Sequence, residues 1–225
     1  IPIVIKPDEF FKDFINIHPD DKQIIDKEIF KLDPSINVNI VNRFDLFHYW
    51  YPKYQEDILN WKWNNTHLKH AEELYKQIPY NGKETVAVHV RRGDYLLPQH
   101  NHFCNLGIND YYSPALEPYF EEVDKYHFVI FSNDIDWCKN HLIDEHESVT
   151  FIEPGSDYTD LILMSLCTHN IIANSSYSWW AAFKNDNKNK IITCPIHYLK
   201  SHSPWSHINN NYYPKNWKSI NNISI

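Results

Sequence analysis

Residues Val86, Ala87, Val88, His89 and Val90 form an apolar run that breaks off into Arg91, Arg92, Gly93, Asp94 and Tyr95. Alternation turns Val86, Val88 and Val90 toward one face of a strand and sets His89 and Arg91 together on the other. In an open α/β sheet, ligands bind beyond the carboxyl ends of the strands, so two arginines there predict an anion site. A guanidinium fork matches a phosphate, Gly93 permits a tight turn, and Asp94 can brace an arginine from behind. The plainer readings are a surface salt bridge that ends a strand and a chance Arg92-Gly93-Asp94 adhesion tripeptide.

Three further clusters could do chemistry. Asp134 and Asp136 follow the apolar run that ends at Ser132 and are spaced to ligate a divalent cation, or else to cap the helix that Asp136 opens. Asp157 and Asp160 fall in the first turn of another helix, where a carboxylate suits the macrodipole. In a cleft, such a carboxylate accepts both the ring N–H and the exocyclic amine of guanine. Asn174, Ser175 and Ser176 stand between a strand and a helix, and that helix start is either a phosphate site or an ordinary serine cap.

The elements that must position these groups alternate. Short apolar strands are expected at 85–90, 128–132, 149–152, 170–174 and 190–194. Helices are expected at 111–124, 136–141, 160–168 and 176–184. Buried strands separated by helices imply a parallel sheet covered on both faces. Ahead of a turn-rich boundary at 78–83, residues 1–80 read as mostly helical: Phe10, Phe11, Phe14 and Ile17, then Ile24, Ile25, Ile29 and Phe30, recur at helical spacing. Helices are also expected at 57–63 and 67–77, with a strand and loop at 44–52. The last segment, from Pro204 to Trp217, is aromatic without periodicity and is expected to wrap back over the core. The organisation is therefore 1–80, a mostly helical region, 81–203, a Rossmann-like α/β domain, and 204–225, a wrapping tail.

A hydrophobic fraction of 43% with 16% aromatics supports a packed core and excludes global disorder. A net charge of -8 argues against a nucleic-acid partner. Cys104, Cys138, Cys167 and Cys194 are scattered singly, which reads as reduced core thiols rather than zinc or redox pairs. No run is long and apolar enough to span a bilayer and no signal pattern opens the chain, so membrane association is not expected and a cytoplasmic location is.

Taken together, His89-Val90-Arg91-Arg92-Gly93-Asp94-Tyr95, Phe131-Ser132-Asn133-Asp134 with Trp137-Cys138, and the stretch from Asp160 to Phe183 resemble glycosyltransferase family 11, the α-1,2-fucosyltransferases. The resemblance covers roughly residues 85–200 in order, and Tyr213-Pro214-Lys215-Asn216-Trp217 is similar to that family's tail. It implies a GT-B architecture of two Rossmann-like domains, GDP-fucose as donor, a glycan acceptor ending in galactose, and no required metal or cofactor. Carried over, Arg91 would hold the β-phosphate, with His89 and Arg92 beside the nucleotide. Asp160 would read guanine, Ser175 and Ser176 would meet the pyrophosphate, and Asp134 and Asp94 would organise the pocket, with Arg91 and Asp94 as the catalytic pair.

One departure stands out. Members open with a Gly-Gly-Leu-Gly-Asn-Gln-like turn, and residues 1–42 here hold no glycine. Two other classes stay open at this stage: a carbohydrate- or nucleotide-binding protein without turnover, and a metal-dependent hexosyltransferase that uses Asp134 and Asp136.

Overall fold

The computed structural model describes residues 15–17, 38–40, 60–144, 146–153, 155–203, 206, 209 and 212–222. Two short strands, β1 (Ile15–Ile17) and β2 (Val38–Ile40), pair in parallel, Ile15 beside Val38 and Ile17 beside Ile40. This corrects the helical reading at 15–17. Ile-Asn-Ile and Val-Asn-Ile repeat with period two, and their β-branched side chains favour a pleated backbone. The other expectations for 1–59, including the strand and loop at 44–52, lie outside the described residues.

Helix α1 (Asn65–Gln77) starts where Asn64 Oδ1 accepts a hydrogen bond from the Thr66 N–H at 2.9 Å. Residues 61–64 are not helical, so the helix expected at 57–63 does not extend through them. There the Trp61 indole instead packs against Trp63 and Trp180, with centroids 4.7 and 6.0 Å away.

After the turn at Asn81 and Gly82, both at positive φ, the chain enters a six-stranded sheet. Its elements run β3 (Glu84–Val90), α2 (Ser113–Phe120), β4 (Tyr126–Ser132), α3 (Ile135–His141), β5 (Val149–Ile152), α4 (Asp157–Leu166), β6 (His169–Ile171), α5 (Ser176–Phe183), β7 (Ile192–Pro195) and β8 (Lys218–Ile220). All pairings are parallel and the order is β5-β4-β3-β6-β7-β8. Numbered from β3, this is the 3-2-1-4-5-6 order of a Rossmann fold, and its switch point lies between β3 and β6.

Both faces of the sheet are covered. On one, Val86, Val88, Val90, Phe128 and Ile130 pack with Tyr111, Tyr112, Leu116 and Tyr119; on the other, Ala87, Val129 and Phe131 meet Ala71 of α1 and Ile162 and Leu163 of α4. Five strands and four helices stand where alternation placed them, with small changes at the ends. The helix expected at 111–124 is interrupted: a π turn at Ile108–Tyr112 precedes α2, and a 3₁₀ turn at Val123–Lys125 follows it. The sixth strand, β8, emerges from the tail, while Tyr212 and Trp217 pack on Trp179 and Cys194 beneath it. All four cysteines are free and buried. Burial pushes the thiols of Cys138 up to about 11 and of Cys167 and Cys194 to about 12, so they behave as core hydrophobes. No described helix is long and apolar enough to cross a membrane.

The turn that leaves β3 depends on Gly93, whose φ of +50° disfavours any residue with a Cβ. A Cβ there would also collide with the Asn133 side-chain amide, which is pinned because its Oδ1 accepts the Arg92 N–H at 2.9 Å. Gly93→Ala is therefore expected to lower stability by about 1–3 kcal/mol. Thermal unfolding followed by circular dichroism measures this, and an unchanged midpoint would show that the turn tolerates a side chain.

Candidate functional site

The carboxyl ends of β3, β4 and β5 and the residues that follow β6 enclose a cleft of about 360 Å³ at the switch point. Arg91, Asp94, His89, Asp160, Ser175 and Ser176 all line it. Sequence distance hides this meeting: β3 brings the first three, α4 brings Asp160, and the start of α5 brings the serines.

Arg91 is the free cation of the cleft only in part. Its Nη2 lies 2.9 Å from both carboxylate oxygens of Asp94, with Oδ2 accepting a hydrogen bond. The two side chains keep 33% and 39% of their surface exposed, so the pair contributes little to stability, on the order of 0–1 kcal/mol. Its value is orientation: one edge of the guanidinium is tied back and the rest can meet an anion. Arg91 also stands 5.5 Å from the Tyr95 ring, whose hydroxyl donates to the Asn174 carbonyl at 3.1 Å.

Arg92, expected beside the nucleotide, turns elsewhere. Its guanidinium stacks 3.8 Å over Trp137 and its Nε donates to Asp134 Oδ2 at 3.1 Å. Neither Arg92 nor Asp134 is among the residues lining the cleft. Asp134 Oδ1 in turn accepts the Trp137 N–H at 3.3 Å, which makes it the cap of α3. Both oxygens of Asp134 are thus engaged within the protein. Among the described residues no three His, Cys, Asp or Glu side chains converge as a metal-ligand group.

His89 is 5% exposed, its ring lies 5.6 Å from the Tyr177 ring, and its Nδ1 is enclosed without a hydrogen-bond partner. Burial, and then the neighbouring Arg91 charge, push its pKa down to about 3, so the imidazole is neutral at any physiological pH. On the far wall, burial raises the Asp160 carboxyl, opposed by the Gly155 N–H and assisted by the Asp157 charge. The Tyr177 hydroxyl donates to the Asp157 carbonyl at 2.5 Å and so ties α5 to the start of α4. Ser175 opens α5 but makes no side-chain cap bond, which leaves the first-turn N–H groups without a side-chain acceptor at the cleft.

Asn174, which the sequence offers only as part of the helix start, also braces the site. Its buried amide donates to the carbonyls of Cys104 at 2.8 Å and Tyr198 at 3.0 Å, joining the loop after β3 to the loop after β7. The only sequence signal was an asparagine at the end of an apolar strand.

The His89 shift makes a pH prediction. The folded chain keeps this imidazole neutral down to about pH 3, whereas the unfolded chain takes up a proton below about 6.5. Its contribution to stability is fully present above that value and falls through the window between, by up to about 1.4 kcal/mol per pH unit. In urea titrations at pH 7 and pH 4.5, His89→Phe should lose less stability on acidification than the wild type. Equal losses would show that His89 does not titrate abnormally.

The profile of Glycosyl transferase family 11 matches residues 16–221. The chain is 35% identical over 144 residues to the O-antigen biosynthesis glycosyltransferase WbnK of Escherichia coli, covering 62% of this chain and 45% of that protein. It is 32% identical over 167 residues to an alpha-1,2-colitosyltransferase of the same species, covering 64% and 54%. Against the human galactoside alpha-(1,2)-fucosyltransferase 1 it is 32% identical over 102 residues, 44% of this chain and 28% of that one. The chain thus spans about half the length of the bacterial relatives it matches. With the profile running through every element of the sheet and cleft, this chain belongs to glycosyl transferase family 11.

Proposed function

We propose that the cleft is the donor site of an inverting fucosyltransferase, which moves fucose from GDP-β-L-fucose to a hydroxyl of a terminal galactose and forms an α-1,2 linkage. One observation carries this reading: a braced guanidinium, an uncapped helix start and a carboxylate converge at the switch point of a Rossmann sheet. The first two suit a diphosphate and the third suits the N–H edge of guanine. Relatives named for α-1,2-colitosyl and galactoside α-(1,2)-fucosyl transfer support the linkage and the acceptor. The described sheet would then be the nucleotide-binding half of a two-domain GT-B enzyme.

In this reading the guanine edge lies on Asp160, which accepts N1–H and N2–H together, a pattern adenine cannot offer. The diphosphate lies across Arg91 and the start of α5. As the anomeric bond breaks, negative charge collects on the β-phosphate, where a preorganised cation and helix N–H groups stabilise the transition state more than the ground state. Arginine and helix dipole supply that stabilisation from the protein itself, so no cofactor is proposed, and Asp94 is assigned to hold Arg91.

The reading is tested by incubating GDP-β-L-fucose with lactose and determining the product linkage by NMR; absence of fucosylated product would remove the proposed activity. Arg91→Ala should reduce turnover by at least about 10²-fold, and Arg91→Lys should also lose most of it, because a point charge does not replace a fixed fork. Near-normal turnover in either variant would remove Arg91 from this role. Asp160→Asn should weaken GDP binding by about 1–3 kcal/mol and leave the weaker binding of ADP unchanged, as read by calorimetry. If the wild type binds ADP as well as GDP, Asp160 does not read the base.

A further inference from the structure

The proposed reaction needs a group to take the acceptor's proton, and on that reading we infer that His100 is the catalytic base. Asp157 and Asp160 line the cleft from α4 and Tyr177 from α5, while His100, Phe103 and Tyr198 line it from the loops after β3 and β7, which the Phe103–Leu199 bridge joins. With guanine on Asp160 and the diphosphate on Arg91, the sugar and the attacking hydroxyl are assigned to the part of the lining that holds His100. Ring contacts lead there from the phosphate site: Arg91 over Tyr95 at 5.5 Å, Tyr95 stacked on Phe103 at 4.1 Å, and Phe103 to His100 at 6.1 Å.

Among the described residues that line the cleft, Asp157 and Asp160 stand on α4 with the base, and the candidates nearer the diphosphate are committed or unsuited. Asp94 is ion-paired with Arg91, its Oδ2 accepting the guanidinium hydrogen bond, and is assigned above to hold that arginine. His89 is held neutral with its pKa depressed to about 3, too weak a base. Burial raises the Tyr95 and Tyr177 hydroxyls, so neither is an anion near neutrality. His100 by contrast makes no side-chain hydrogen bond to a described residue; its buried Nδ1 has no partner, and Nε2 is the nitrogen assigned to the ligand. A 3₁₀ turn at Pro98–His100 carries it rigidly: its N–H donates to the Leu97 carbonyl at 2.9 Å and its carbonyl accepts the Phe103 N–H at 3.1 Å. The titratable or charged groups around it are His102, 6.0 Å away ring to ring, with Arg91, Asp94, Tyr95 and Tyr198 in the cleft.

In the step itself the acceptor hydroxyl gives its proton to Nε2 while its oxygen bonds to fucose C1. The C1–O bond to the β-phosphate breaks and its electron pair leaves with GDP; the imidazolium then returns the proton to solvent. The test compares wild type with His100→Gln, using GDP-fucose and lactose at saturation from pH 5 to 8, with calorimetry for GDP. The variant should bind GDP as the wild type does, lose about 10²-fold or more in kcat, and lose the acid limb of the kcat profile. Wild-type kcat in the variant, a reduced kcat with the acid limb intact, or weakened GDP binding would overturn the assignment. A wild type that binds GDP but makes no product would instead overturn the fucosyltransferase reading beneath it.

Discussion

A cation at the end of a central strand is useful only if it is aimed, and the Arg91–Asp94 pair at the end of β3 is the constraint on which the site rests. At 2.9 Å and part exposed, the pair adds almost nothing to folding. It removes rotational freedom from a long side chain before any ligand arrives, so that binding need not supply that ordering. The left-handed Gly93 brings Asp94 back under Arg91, and the Asn133 amide holds the turn through the Arg92 N–H.

The rest of the fold keeps that strand end still. Tyr112 donates to the His89 carbonyl at 3.2 Å, Tyr95 to the Asn174 carbonyl, and Asn174 to two loops at once. Each is a buried or half-buried bond in an apolar setting, where a lost partner costs about 1–3 kcal/mol. The sheet fixes the remaining distance: parallel pairing of β3 with β6 puts the end of one strand beside the residues that lead into α5. Tyr177 then links α5 to α4, so the two walls of the cleft share one framework.

Much of this was legible, and the failures have physical causes. Long apolar strands and amphipathic helices declare themselves through period, so β3 to β7 and α2 to α5 could be placed. The strands β1, β2 and β8, three residues each, lie outside the run of alternating strands and helices, and only sheet pairing makes them strands; β6 is as short, but its apolar run continues through Ile172 and Ala173. Residues Arg91, Asp160, Ser175 and Ser176 meet in the cleft as their places at element ends suggested. The alternation that sets His89 and Arg91 on one face sets Arg92 on the other, where Trp137 and Asp134 receive it. Asn174 braces the cleft through contacts far along the chain and His100 lines it from an aperiodic loop, where local pattern carries no signal.

In the proposed reaction one cleft holds guanosine diphosphate, with its base on α4 and its terminal phosphate on Arg91. The most direct measurement is a crystal structure of the protein soaked with GDP. Density is expected across the β3–β6 switch point, with the β-phosphate within hydrogen-bonding distance of Arg91 and the guanine edge on the Asp160 carboxylate. GDP bound elsewhere, or in this cleft with its base against His100 and its phosphates near Asp160, would contradict it.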